Sequence, residues 1–194
     1  WSPSMASLVY ASTAYGDRRS RLFYQEDAGA QFEAPPMLYD KRELFGDNPV
    51  YLDNWRIVFQ GCNTWAGGSK CGIYSTDSKG SEPVQATSLT ADIPSGNLGS
   101  QILFTSNRSG NYDVWVVNWD GGGLRQLTDN PAIDGLAAAS PDYQHIAFVT
   151  NRDGVWSVYV MNIDGSDQRK LFDLNGGYGS GDYDWQRERI SWGP

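Results

Sequence analysis

Apolar residues in this chain come in short bursts, and the bursts recur. Apolar triplets stand at "LVY" (Leu8 to Tyr10), "IVF" (Ile57 to Phe59), "ILF" (Ile102 to Phe104), "IAF" (Ile146 to Phe148) and "ISW" (Ile190 to Trp192), spaced by 49, 45, 44 and 44 residues. The bursts are short, rich in Val, Ile, Tyr and Trp, and bounded by Gly, Asn and Asp, which predicts strands rather than helices. A period of about 40–45 residues is the signature of four-stranded propeller blades. The repeat is clearest where "FTSNRSGNYDVWVVNWDGG" (Phe104 to Gly122) returns, 44 positions later, as "FVTNRDGVWSVYVMNIDGS" (Phe148 to Ser166).

Each unit divides into four predicted strands, A to D. In the fourth unit, A is "GLAAAS", a "PDYQ" turn leads to B, "HIAFVT", and "NRDG" leads to C, "VWSVYVMNI"; "DGSD" then leads to D, "QRKLF". The turn residues tolerate positive φ and favour tight hairpins. Strands B and C are apolar at successive positions, as expected of a sheet buried on both faces. The small A strand suits the crowded centre of a ring. One blade cannot bury both faces alone, which is why the unit is copied. The expected fold class is all-β: a single propeller domain over 1–194, of four-stranded antiparallel blades, about four complete blades plus a partial fifth, with units near 1–48, 49–93, 94–134, 135–178 and 179–194. The first unit is worn, and its tail, "AQFEAPPMLYDKRELFGDNP", predicts an irregular outer strand or loop. The last copy, "DYDWQRERISWGP" (Asp182 to Pro194), stops after its B strand. That strand, "RISW", is therefore expected as an open edge whose Ile190 and Trp192 recruit a second chain.

The segments "WSPS", "ASPDYQHIAFVTNRDG", "VYVMNIDGSDQRKL" and "DVWVVNWDGGGLRQLTDNPAID" resemble the WD40-like PD40 repeats of the TolB-type propeller family. Units 3 and 4 match closely, unit 1 in part and unit 2 weakly. The resemblance implies a β-propeller and no single function, because function lives in sites grafted on folds. Such relatives serve as periplasmic protein-docking modules, as sensor or ligand-binding ectodomains, and as gating propellers beside serine peptidases.

Composition narrows the field. The net charge of −8 argues against a nucleic-acid partner, and no apolar run approaches the roughly 20 residues that span a bilayer, so no membrane insertion is expected. The chain opens on Trp1, without an initiator Met, and is expected to be a mature, trimmed or excised piece. Its two cysteines, Cys62 and Cys71 in "GCNTWAGGSKCG", flank a Gly-rich turn between apolar stretches and would face each other across a hairpin. They read as two thiols or as a disulfide; the disulfide is the stronger reading, and it would place the chain outside the cytosol (periplasmic, cell-surface or secreted).

No catalytic constellation appears. His145 is the only histidine, there is no G-x-S-x-G elbow, and "DGGG" (Asp120 to Gly123) lies between strands without the ending of a phosphate loop. No cofactor or metal is expected; turn aspartates such as Asp120 and Asp164 are too dispersed for a calcium cage. "NRS" (Asn107 to Ser109) is a formal glycosylation sequon that the repeat explains better. Arg108 and Arg152 fall in equivalent B–C turns, and Asp129, Asp134 and Asp182 in D–A connections at the same end. The arginines either pair with neighbouring carboxylates or carbonyls and tie adjacent blades, or line a rim that binds an anionic ligand or partner. Trp65, Tyr178 and Trp185 sit in Gly-rich stretches, as flexible connectors or as exposed aromatics that grip a protein or stack on sugars. The chain thus reads as a bacterial, non-enzymatic interaction or scaffold module that binds a protein partner through one loop face. A lectin-like or small-ligand sensor is the alternative, or an accessory propeller of a larger hydrolase or receptor.

Overall fold

The computed structural model describes residues 2, 4, 6–13, 15–26, 34–174, 178 and 185–192. Sixteen strands are formed among them: β1 (Ser7–Ser12), β2 (Arg21–Glu26), β3 (Leu38–Tyr39), β4 (Arg42–Glu43), β5 (Gly46–Tyr51), β6 (Arg56–Cys62), β7 (Cys71–Asp77), β8 (Val84–Gln85), β9 (Ile93–Leu98), β10 (Gln101–Ser106), β11 (Asp113–Asn118), β12 (Arg125–Gln126), β13 (Asp134–Ala139), β14 (His145–Thr150), β15 (Ser157–Asn162) and β16 (Arg169–Asp173). They make three four-stranded antiparallel blades of consecutive strands, β5 to β8, β9 to β12 and β13 to β16. The first blade is less regular. Its core is the β1–β2 hairpin, and β2 is flanked by the stretch 36–45, where Met37 N donates to Leu22 O and Leu22 N donates to Leu44 O. Pro35 and Pro36 stand at its start; proline cannot donate to a ladder, and pairing here is limited to isolated bridges and two-residue pieces.

The alternation along β10, β11, β14 and β15 explains the double burial. Leu103, Val114, Val116 and Leu127 of blade 3 pack against Ile146, Phe148, Tyr159 and Met161 of blade 4. The opposite face of blade 3, with Ile102, Phe104 and Val117, packs on Val58 and Ile73 of blade 2. A third layer joins Val9 and Leu22 of blade 1 to Ile57, Phe59 and Tyr74. Strands β5, β9 and β13 lie next to one another in turn, as the innermost strands of the ring.

One serine device closes the A–B turn at both ends of the repeat. Ser140 N donates to His145 O (2.8 Å) and Ser140 Oγ accepts from His145 N (3.0 Å). Ser2 and Ser7 make the same pair of bonds, at 2.9 and 3.1 Å. Ser2 therefore stands to β1 as Ser140 stands to β14, so blade 1 keeps the register of blade 4 at this turn.

The expected strand at "RISW" is not formed: residues 188–192 have no strand among the described residues. Two side chains hold the segment elsewhere. Trp192 Nε1 donates to Ala138 O of β13 (2.8 Å), and Arg189 donates to Asn48 Oδ1 at the start of blade 2. The segment runs past the inner strands, with Gln186 and Arg189 toward the end that carries the β1–β2 loop and Ile190 to Trp192 toward the other.

Candidate functional site

The B–C and D–A loops emerge at one end of the ring, where one structural device is repeated four times. The register pairs Tyr10 with Phe23, Phe59 with Tyr74, Phe104 with Trp115 and Phe148 with Tyr159. Each blade thus presents a cross-strand aromatic pair below its B–C loop, and that loop supplies a cover. In blade 3 the cover is Arg108, whose guanidinium carbon lies 5.0 Å from the Phe104 ring and 5.1 Å from Trp115. In blade 4 it is Arg152, 5.2 Å from Phe148 and 4.8 Å from Tyr159. In blade 2 the indole of Trp65 takes this place, 6.0 Å from Phe59 and 4.9 Å from Tyr74. In blade 1 it is Tyr15, 6.0 Å from Phe23.

A cation over two rings is attracted to their negative faces, but under such cover it needs an anion. Arg108 Nη2 meets Asp92 Oδ2 at 2.7 Å, and Arg152 Nη2 meets Asp134 Oδ2 at 2.8 Å. Both carboxylates are fully buried, and the arginines are only 16% and 14% exposed. Burial pushes the Asp134 carboxyl up, and the Arg152 charge opposes it. Each guanidinium also bonds its own strand end, Arg108 Nε to Ser106 Oγ (3.0 Å) and Arg152 Nε to Thr150 Oγ1 (3.3 Å). Each pair lies within one blade, between its B–C turn and the start of its strand A; Arg152 also donates to Gln168 Oε1 (2.9 Å), whose amide donates to Leu127 O of blade 3 (3.3 Å) and links the two blades. Little of either arginine faces solvent.

Trp65 is placed differently from the exposed aromatic that its Gly-rich setting suggests: it is 5% exposed and belongs to the core between blades 1 and 2. Glycines make the room. In register, Gly46 and Gly61 occupy the positions of Asp92 and Ser106, and a Cβ on Gly46 would come within 2.6 Å of the Phe59 ring. The B–C loop is then clipped just beyond by the Cys62–Cys71 disulfide, formed between directly paired residues. Arg42 Nη1 donates to the Trp65 carbonyl (2.7 Å) and holds the loop down on blade 1.

Loops at this end are pinned by asparagines. Asn111 Nδ2 donates to Asn130 O (2.8 Å) and Ala132 O (2.6 Å), and Asn151 Oδ1 accepts from Ile133 N (2.9 Å). The D–A connection of blade 3 is so held from both sides, and it carries Asp129 into solvent. Tyr178 and Trp185 come together with two aromatics that the sequence did not single out, Tyr112 and Trp156. The row runs from Tyr112 to Trp185 (5.3 Å), to Trp156 (5.6 Å), to Tyr178 (5.4 Å). Burial pushes the Tyr178 phenol up to about 12. The hint was that Tyr112 and Trp156 each close a B–C loop just before strand C; nothing local said which rings they would meet. Asp182 lies outside the described residues.

Two hollows open at the same end. One, of about 760 Å³, is lined by blade 1, blade 2 and the axial segment, with Arg18, Asn48, Gln60 and Arg189 on its walls. The other, of about 430 Å³, lies beside the disulfide under Phe45, on whose ring Arg19 stacks at 3.5 Å. Among the described residues no group of three His, Cys, Asp or Glu side chains could hold a metal ion. His145 begins β14, with its backbone engaged by Ser140.

No family model matches the chain. Over 50 residues it is 42% identical to the protein TolB homolog of Chlorobaculum tepidum and 44% identical to that of Chlorobium luteolum. These matches span 26% of this chain and 12% of each relative. Among solved structures, a putative TolB from Agrobacterium tumefaciens superposes with a TM-score of 0.72 at 22% identity, over 89% of this chain and 63% of that one. TolB from Acinetobacter baumannii gives 0.69 at 18% identity, over 89% and 42%. An oligogalacturonate lyase in complex with manganese gives 0.61 at 16%, over 90% and 52%. The chain thus spans less than two thirds of the length of each of these proteins.

Proposed function

We propose that this β-propeller, whose fold is similar to that of the TolB structures and which shares a 50-residue match with TolB homologs, is a non-enzymatic docking module that receives a protein partner on its loop end, outside the cytoplasm. One observation carries this reading: the loop end is both concave and pre-set. The disulfide borders one hollow and the Asn48–Gln60 bond (2.9 Å) lies in the wall of the other, while Asn111, Asn151 and the two Arg–Asp pairs hold the neighbouring loops of blades 3 and 4. A surface ordered before binding loses little conformational entropy on binding. The walls offer amide and guanidinium donors beside aromatic edges, the mixture that suits a polypeptide. The aromatic row favours a protein over a sugar, because Trp156, Tyr178 and Trp185 are spent on one another's faces. The disulfide supports an oxidising compartment.

The test is site-directed photo-crosslinking in the producing cell. A photoreactive residue at Asp129 or Asn48 should give a discrete protein adduct, and one at Tyr143, at the opposite end, should not. Adducts of equal yield from both ends, or from neither, would refute docking through the loop end.

A further inference from the structure

One wall of the hollow beside the disulfide is bare backbone. Gly46, Gly61 and Gly72 are paired directly with one another across β5, β6 and β7, and Cys62 and Cys71 form the next pair of the β6–β7 ladder. Glycines in a row present peptide planes with no side chain between them, a surface that a flat group can approach closely. Phe45 and the disulfide add apolar surface, and the volume of about 430 Å³ suits a small organic molecule.

The rim of this hollow carries positive charge that the neighbouring acids do not offset. Arg18 and Arg19 stand on the turn between β1 and β2. Two acids lie close by, and Arg21 engages both. Asp17 accepts from Arg21 Nη1 (2.8 Å) and Nη2 (2.6 Å), and Glu43 accepts from Arg21 Nε (2.9 Å). Asp17 also accepts from the Arg19 amide (3.0 Å), so the buried Arg21 staples the turn from below. Arg18, at a φ of +60°, and Arg19 make no ion pair among the described residues. The Arg19 guanidinium lies on the Phe45 ring at 3.5 Å. A stacked guanidinium keeps the N–H groups of its edge free to grip a carboxylate through two parallel bonds.

The adjoining hollow shares Ser20, Asp47 and Gln60 with this one and adds Arg18 and Arg189. Arg189 donates to the carbonyls of Gln186 and Glu188 and to Asn48 Oδ1, none of them charged. Asp47 is the one acid in the two walls among the described residues, and it is exposed. In a chain of net charge −8, three guanidiniums here face a single carboxylate.

We propose that the hollow beside the disulfide binds a small organic acid with a flat apolar body. The carboxylate pairs with the edge of Arg19, the body lies along the glycine row, and Arg18 and Arg189 raise the positive potential from the adjoining hollow. Charge and body are both needed. An exposed ion pair is worth little by itself, and an apolar body without a charge leaves the Arg19 edge unused. This site is separate in kind from partner docking, because it needs no protein ligand.

Titration of the intact, oxidised chain with cinnamate, followed by NMR of backbone amides and arginine side chains, tests this. Saturable shifts are expected at Gly61, Gly72 and the Arg19 Nε–H. Cinnamyl alcohol, which keeps the flat body without the charge, and acetate, which keeps the charge without the body, should each bind at least about tenfold more weakly. Arg19→Gln should weaken cinnamate by about the same factor, and Asp47→Asn should strengthen it by removing the acid between the hollows. Opposite effects at two exposed positions do not arise from a general loss of structure. The absence of saturable shifts at these glycines, up to the solubility limit of cinnamate, would overturn the proposal. So would equal binding of the alcohol, or an affinity that neither variant changes. None of these outcomes bears on partner docking at the loop end, which is read by separate crosslinks.

Discussion

Blade 2 and blade 4 solve one problem with opposite chemistry. Each must cover an aromatic pair below its B–C loop. Blade 4 uses a guanidinium and must bury Asp134 to balance it. Blade 2 uses an indole, which needs no counter-charge but needs room, and Gly46 and Gly61 provide it. The repeat therefore constrains the shape of the slot more than the identity of its filler. Each filler brings its own dependents: an acid with the arginine, glycines and a crosslink with the tryptophan.

The comparison breaks first at the cation. Arg152→Ala leaves Asp134 buried without its partner, and loss of one member of a buried pair costs about 3–5 kcal/mol. Urea denaturation should show that loss as a lower midpoint. The double variant Arg152→Met, Asp134→Asn should recover a large part of it, and additive losses would mean that the two groups are not coupled. In blade 2 the corresponding break is covalent. Replacing Cys62 and Cys71 by serine frees a loop whose closure is worth about 2–3 kcal/mol in the chain-entropy picture. The midpoint should fall by that amount, and by less than for Arg152→Ala.

Space is the next dependency. Gly61→Ala would set a Cβ 2.7 Å from Phe45 O and 3.0 Å from the Phe59 ring. Overpacking of this kind costs about 1–3 kcal/mol, and thermal unfolding of the variant should report it. Alanine at Gly154, a B–C turn position of blade 4 with nothing within 4 Å, meets no such contact and is strained only by its positive φ of +81°.

The smallest effect is that of acid. Hydrogen bonds from Ser140 and the Gln144 backbone hold the Asp142 carboxyl below its ordinary value, and bonds from Ser166 do the same for Asp164. For a depressed carboxylate the stabilisation is complete above the unfolded value, about 4, and is lost as the pH falls through the folded value. Asp134, pushed up by burial, runs the other way. The amides of Gln144 and Ser166 donate to these turn carboxylates. Their chemical shifts should titrate with midpoints below that of a free aspartate; midpoints at the ordinary value would contradict the bonds.

Much of this was legible in the chain. Strand order and blade length follow from the spacing of the apolar triplets. The disulfide follows from two cysteines astride one hairpin turn, now seen as directly paired residues. What escaped depends on contacts between separate elements. "NTWAGGSKC" looks like an exposed loop because Gly and Lys surround its tryptophan; only the register of β6 and β7 shows that an aromatic pair lies beneath it. For Arg108 and Arg152 the sequence leaves a carboxylate pair and a charged rim both open, and only the fold brings Asp92 and Asp134 beside them. "ISW" carries the periodicity of a strand, yet a single indole N–H bonded to Ala138 O and Arg189 bonded to Asn48 hold that segment elsewhere.

The strictly consecutive strand order inside blades 2 to 4 bears on how the chain folds. The β14–β15 hairpin closes over a turn of six residues, 151–156, whereas equivalent strands of neighbouring blades are 44 residues apart. Loop-closure entropy grows with the logarithm of that separation, so meeting the next blade costs about 2 kcal/mol more than closing a hairpin. Hairpins should therefore form first and ring contacts later, with the most regular units, blades 3 and 4, leading. Pulse-labelled hydrogen exchange would show protection in β10, β11, β14 and β15 before it appears across the joint between blades 1 and 2.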